Sequence, residues 1–122
     1  VCPNGWHVPS DEEWKVLADY VIENGYERTE GLALKGQSGW NDYDGLSGNG
    51  TDNFGFNALP GGNRNINGNF SKIGQNGYWW STSEHANPLN AWSRYLYNNN
   101  SNIMNYEDFK NYGFSIRCLK DL

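Results

Sequence analysis

The sequence has 122 residues, with nine Lys and Arg against fourteen Asp and Glu and a net charge of −5. That is one domain's length, too short for two sizeable cores, and the acidic balance without a basic run disfavours a nucleic-acid partner. No stretch approaches the ~18 apolar residues of a membrane span, so direct insertion of this segment into a membrane is not expected.

A mean hydropathy of −0.82 would suit a disordered chain. Six Trp, eight Tyr and five Phe argue otherwise, because each ring can bury roughly 150–250 Å². The opening "VCPNGW" has no Met and no signal-like apolar run, and it reads as part of a longer protein. Cys2 and Cys118 sit at the two ends. One intramolecular pairing is possible, and closing a loop of ~100 residues stabilises by up to ~4.7 kcal/mol where the geometry fits. Two buried free thiols are the alternative.

"PSDEEWKVLADYVIENG" predicts the main helix. Ser10 is its N-cap, Glu13 completes a capping box, and Asp11 and Glu12 favour the positive dipole end. Trp14, Leu17, Ala18, Val21 and Ile22 form one apolar stripe. Burial is expected for Trp14, Leu17, Val21 and Ile22, with Glu12, Lys15, Asp19 and Glu23 in water. Gly25 is a natural C-cap. A second, short helix or turn is expected over 29–36.

Beyond residue 37 the helical period disappears, and Gly, Asn, Asp and Ser at this density signal irregular loops. Asp42, Asp44 and Asp52 lie there and are candidates for a hard cation. Their spacing matches no calcium-loop pattern, and turn-capping acids are the better reading. Short strands are expected in "FNALPG", "GYWWSTS", "NAWSRYLY" and "GFSIRCL". Trp79 and Trp80 are adjacent, so at most one can face a ligand. Trp92, Arg94 and Leu96 share one face, and Ser93, Tyr95 and Tyr97 share the other. Phe114, Ile116 and Cys118 share a face of the last strand. One helix followed by short antiparallel strands among long loops is an α+β layout.

Catalytic signals are sparse. His7 and His85 are the only histidines. His7 in "GWHVPS" reads as a turn buttress, and His85, in a polar loop, as a solvated or ligand-contacting residue rather than a base. No nucleophile-elbow, zincin or P-loop spacing occurs, and two cysteines without a CxxC do not make a metal site. No cofactor and no metal is expected.

Taken in order, "CPNGWHVPSDEEW", "GFNALPGGNRNINGNF", "GYWWSTSE", "AWSRYLYNNNSN" and "NYGFSIRC" resemble the Fibrobacter succinogenes major paralogous domain family over nearly the whole chain. The resemblance implies a C-type-lectin-like fold related to the formylglycine-generating enzyme, with adjacent terminal strands that bring Cys2 near Cys118. It also implies a bacterial or phage-borne surface protein, often from gut bacteria. The enzymatic inheritance fails residue by residue: only Cys118 lies late in the chain, and the related iron enzymes need three histidines.

The resemblance extends to the variable proteins of diversity-generating retroelements, in which Asn codons mark changeable positions. Six asparagines fall within 98–111. Ser93, Tyr95, Tyr97, Tyr106, Asp108, Phe109 and Tyr112 stand where related domains carry Asn, and Met104 and Glu107 are reachable from Lys codons. Trp92, Arg94 and Leu96 are expected to stay as scaffold. Tyr, Ser and Asn are also what antibody-like paratopes favour. A solvated hairpin loop without diversification is the plain alternative.

The expected function is therefore non-enzymatic binding of a protein or glycan on a cell surface, by an extracellular domain on a bacterium or phage particle. The expected contact residues are His85, Asn87, Asn90, Ser93, Tyr95, Tyr97, Asn99, Asn102, Met104, Tyr106, Glu107, Asp108, Phe109 and Tyr112. Ser93, Tyr95, Tyr97, Tyr106, Asp108 and Phe109 are expected to be exposed and clustered on one face. The alternatives are a carbohydrate-binding module using Trp40 or Trp80, a structural module of a surface lipoprotein or pilus, and an enzyme of the formylglycine-generating type.

Overall fold

In the computed structural model, which describes residues 1–122, Ser10 caps α1 (Asp11–Val21) as its sequence predicts. The Ser10 Oγ accepts the Glu13 N–H at 3.1 Å, and the Glu13 carboxylate accepts the Ser10 N–H at 3.0 Å. Trp14, Ala18 and Val21 are buried. Leu17 and Ile22 are only half-buried, which corrects the expectation that both are core. Leu17 lines an open apolar groove of about 340 Å³ with Trp6, Phe56 and Leu119, so its outer side stays wet. Glu12, Lys15 and Glu23 are exposed as expected, and Asp19 is partly covered.

The helix stops at Val21, earlier than its apolar stripe suggests. The chain then widens into one π-type turn, Ile22–Tyr26, in which Gly25 takes φ 100°. Glycine reaches that region without a Cβ penalty, and the Asn24 amide caps the Tyr20 carbonyl at 2.8 Å. The short second helix, α2 (Glu30–Leu34), falls inside 29–36 and buries Gly31, Ala33 and Leu34. The core gathers Trp14, Val21, Ala33, Leu34, Trp40, Ala58, Trp79 and Leu96. Trp40 is buried, and its indole N–H donates to the Ala58 carbonyl at 3.0 Å. A buried indole needs such a partner.

Seven strands follow the pattern β1 (Trp6–His7), β2 (Asn63–Arg64), β3 (Phe70–Ser71), β4 (Asn76–Glu84), β5 (Asn90–Tyr97), β6 (Met104–Phe109) and β7 (Leu119–Lys120). β4, β5 and β6 form a three-stranded antiparallel sheet in that order, while β1–β7 and β2–β3 are two-stranded pairs. The fold is α+β, with short helices and small antiparallel sheets. "FNALPG" is not a strand; it contributes one bridge, Ala58 to Lys35. "GFSIRCL" is mostly an extended strap, bridging Gly113 to Arg64 and Ser115 to Trp79 before β7 begins. Cys2 and Cys118 are disulfide-bonded, with Cα atoms 5.8 Å apart. The free-thiol alternative is therefore excluded.

Candidate functional site

The register of β4, β5 and β6 decides which side chains meet. Trp80 opposes Ser93 and Tyr78 opposes Tyr95; Ser93 in turn opposes Tyr106, and Tyr95 opposes Met104. With strict alternation, Tyr78, Trp80, Ser93, Tyr95, Tyr97, Met104, Tyr106 and Asp108 share the outer face of the sheet. Phe114, from the strap, stacks on Trp80 and Tyr78 with ring centroids 4.3 and 5.1 Å away. Tyr95 meets Tyr78 edge-on at 4.4 Å and lies 4.9 Å from Tyr106. Tyr112 stacks on Phe114 at 6.0 Å. The result is an aromatic surface built from four stretches of chain.

That surface is not uniformly displayed. Ser93 is 0% exposed, contrary to the expectation of an exposed contact. Its hydroxyl lies 2.8 Å from an Asp108 carboxylate oxygen and 3.1 Å from the Tyr106 carbonyl. The Tyr95 hydroxyl donates to the same Asp108 oxygen, and Tyr95 is half-buried. Tyr97, Met104, Asp108 and Tyr112 are half-buried as well, whereas Tyr106 is 40% exposed. Burial, with the Asp108 carboxylate beside it, pushes the Tyr95 phenol well above its ordinary value. Burial and then Tyr106 raise Tyr97 in the same direction. Both stay protonated hydroxyl donors near neutral pH.

Phe109 is exposed but does not join this face. It opposes Asn90, and Glu107 opposes Trp92, so both project with the scaffold side of the sheet. His85 packs against Trp92 at 5.1 Å and places Nδ1 2.9 Å from Glu107. Asn90 Nδ2 donates to the same Glu107 carboxylate at 2.8 Å. Asn87 is exposed, and its side chain caps the Leu89 N–H at 3.1 Å. Apart from buried Ser93 and the loop residues Asn99 and Asn102, the expected contact residues thus fall into two groups. His85, Asn87, Asn90, Glu107 and Phe109 lie toward one side; Tyr95, Tyr97, Met104, Tyr106, Asp108 and Tyr112 lie on the aromatic side. Trp92, expected as scaffold with Arg94 and Leu96, is half-buried on the first side, whereas those two are buried.

The scaffold is tied to α1. Arg94 is 7% exposed and donates to the Asp11 carboxylate at 3.1 Å, and Asn105 donates to the same oxygen at 2.8 Å. The Asn-rich loop between β5 and β6 is held mainly through its backbone. Buried Lys35 donates to the carbonyls of Tyr97 at 2.9 Å and Asn100 at 3.4 Å. Burial lowers its pKa, and Trp40 lies 5.2 Å beneath the ammonium. The Gly31 and Leu32 N–H groups donate to the Ser101 carbonyl at 2.7 and 3.2 Å. Asn99 and Asn102 remain exposed.

Sequence reasoning missed Tyr78 and Phe114 as members of this face. The alternation of "GYWWSTS" points to Tyr78 and Trp80 together, opposite Trp79; alternation in "GFSIRCL" groups Phe114 with Ile116 and Cys118 but does not say that Phe114 stacks on this face. Trp79 is 5% exposed in the core while Trp80 is half-buried on the aromatic face, so the adjacent rings do point apart.

The other candidates separate. Asp42, Asp44 and Asp52 do not gather, and no group of three or more His, Cys, Asp or Glu is placed to hold a metal ion. Asp52 instead accepts the Asn57 N–H at 2.7 Å. His7 sits between Asp121, 2.6 Å from Nδ1, and Glu13, 2.9 Å from Nε2, where it ties β1, α1 and the C-terminus together.

A family model described as the Fibrobacter succinogenes major domain matches residues 1–120. The chain belongs to that family. No curated protein and no solved structure matches it. The match to the Fibrobacter succinogenes major domain spans both the capped helix, which supplies Asp11 to the scaffold, and "AWSRYLY", whose residues alternate between scaffold and outer face.

Proposed function

We propose that this domain is a non-enzymatic, C-type-lectin-like binding module. It presents the aromatic face and the Asn-rich loop to a macromolecular ligand from a bacterial surface or phage particle. One observation carries the reading: the loop from 98 to 103 is held by carbonyls bonded to Lys35, Gly31 and Leu32, leaving Asn99 and Asn102 free of structural duty. An anchor on backbone groups works for almost any side chain. Beside the loop, Tyr97 and Tyr106 offer amphipathic rings with few rotatable bonds, which suit a contact surface. The paired terminal strands and the order of capped helix, irregular loops and three-stranded sheet support the lectin-like assignment.

Diversification of this surface follows the same logic, with a narrower set of positions than alternation alone suggests. Tyr97, Asn99, Asn102 and Tyr106 fit a changeable role; Ser93 and Tyr95 serve the packing. The test is a display library randomised at those four positions. Most members should display as folded protein, and selection against an unrelated protein target should yield binders. A library that mostly fails to fold, or that yields no binder while the parent scaffold displays normally, overturns the reading. A reverse transcriptase gene beside a near-copy of the segment encoding residues ~83–119 would establish diversification itself.

A further inference from the structure

At the end of β5 the aromatic face gives way to an open groove of about 440 Å³, lined by Lys72, Gln75, Asn76, Tyr97, Asn98 and Asn99. Its lining is almost entirely polar. Four of the lining side chains are amides, one is a phenol and one an ammonium, and no carboxylate is among them. The amides of Asn76 and Asn98 are already oriented: Asn76 Nδ2 donates to the Tyr78 hydroxyl at 2.6 Å, and Asn98 Nδ2 donates to the Asn41 carbonyl at 3.0 Å. Each keeps its carbonyl oxygen as an acceptor. The Gln75 and Asn99 amides have no partner within the chain. Lys72 is exposed and stands outside the lysine and arginine ion pairs, which are Lys15–Asp19, Arg94–Asp11 and Lys110–Glu84.

The walls are pinned by backbone. The Gln75 and Asn76 N–H groups donate to the Lys72 carbonyl at 3.0 Å, and the Asn98 N–H donates to the Gln75 carbonyl at 2.8 Å. Lys72 takes φ 65° and Gly74 φ 84°; a Cβ on Gly74 would lie 2.7 Å from the Asn41 amide. The tight turn is therefore specific to this geometry, and little loop ordering is left for a ligand to drive.

We propose that this groove binds a saccharide carrying a single carboxylate, of the uronic acid class. The inference rests on the reading of the domain as a binding module and names the ligand chemistry for one end of its surface. Sugar hydroxyls both donate and accept, as amides do, and half-buried Tyr97 is the one aromatic side chain in the lining against which the C–H side of a pyranose can pack. An apolar ligand finds only one hydrophobic residue here. Lys72 selects for one negative charge, while the net charge of −5 repels a densely charged polyanion.

The test is an NMR titration of the ¹⁵N-labelled domain with a tetrasaccharide ending in glucuronate, beside its carboxyl-reduced counterpart ending in glucose. The side-chain amide signals of Gln75, Asn76, Asn98 and Asn99 should shift with both sugars, and the acid should bind about threefold tighter, as expected for one exposed ion pair. Lys72→Gln, whose folding is checked by its own amide spectrum, should erase that preference, so that acid and neutral sugar bind with equal affinity. Absence of shifts at those amides overturns the proposal, as does a preference for acid that survives Lys72→Gln. Shifts confined to Trp80 and Tyr106 also overturn it, and leave the aromatic-face reading intact. Failure of the display library beside a positive titration has the opposite meaning.

Discussion

Replacing Tyr95 and Tyr106 separately by Asn separates packing from display on the aromatic face. The Tyr95 ring lies 4.4 Å from Tyr78, 4.9 Å from Tyr106 and 5.9 Å from Phe114, and its hydroxyl donates to Asp108. If ~100 Å² of the ring is kept from water, its loss costs about 2.5 kcal/mol at ~25 cal/mol per Å². The hydrogen bond to a partly screened carboxylate adds about 1 kcal/mol. Tyr95→Asn should therefore destabilise by roughly 3–4 kcal/mol. Tyr106 is 40% exposed and meets one ring, Tyr95, so its replacement should cost about 1 kcal/mol. For a domain of this length 1 kcal/mol corresponds to about 4 °C in Tm, giving losses of about 12–16 °C and about 4 °C. Urea unfolding followed by tryptophan fluorescence, with thermal melts by circular dichroism, measures both. If the two variants agree within about 0.5 kcal/mol, a distinction exceeding ordinary surface scatter is absent and Tyr95 belongs to the display.

Leu34→Ala should cost ~2–5 kcal/mol because the side chain is fully buried, whereas Leu17→Ala, half in the open groove, should cost about half as much; denaturant midpoints compare them. The pKa of His7 is raised above its ordinary 6.5 by Asp121 first and Glu13 second. The stability that His7 contributes is thus present below pH 6.5 and lost as pH climbs through the raised value, so Tm should fall across that window in the parent and stay flat there in His7→Gln. Glu13 is held below its ordinary 4.5 by the Ser10 N–H first and His7 second; its contribution is lost as pH drops through that lowered value. Converting Cys2 and Cys118 to Ser together should lower stability by ~2–5 kcal/mol, read from urea unfolding without reductant, and an unchanged midpoint would show that the paired strands close the chain unaided.

The elements that were legible in the sequence are those written in neighbouring residues. Ser10 and Glu13 announce the start of α1 through bonds spanning three residues, and "NAWSRYLY" announces β5 through alternation. Arg94 and Leu96 are scaffold, as that alternation implies, and both are buried. The two cysteines allowed one pairing, but proximity came from β1 lying antiparallel to β7. Alternation assigns side chains to a face without saying what covers that face. Ser93 is buried because the β6 register brings Asp108 and Tyr106 around it. Phe109 leaves the aromatic surface because the same register sets it opposite Asn90. Lys35, unremarkable in a five-residue window, becomes the anchor of a loop more than sixty residues away. Local patterns follow from the geometry of one helix or one strand, whereas coverage and anchoring come from segments distant in the chain, whose arrival only the packed tertiary structure decides.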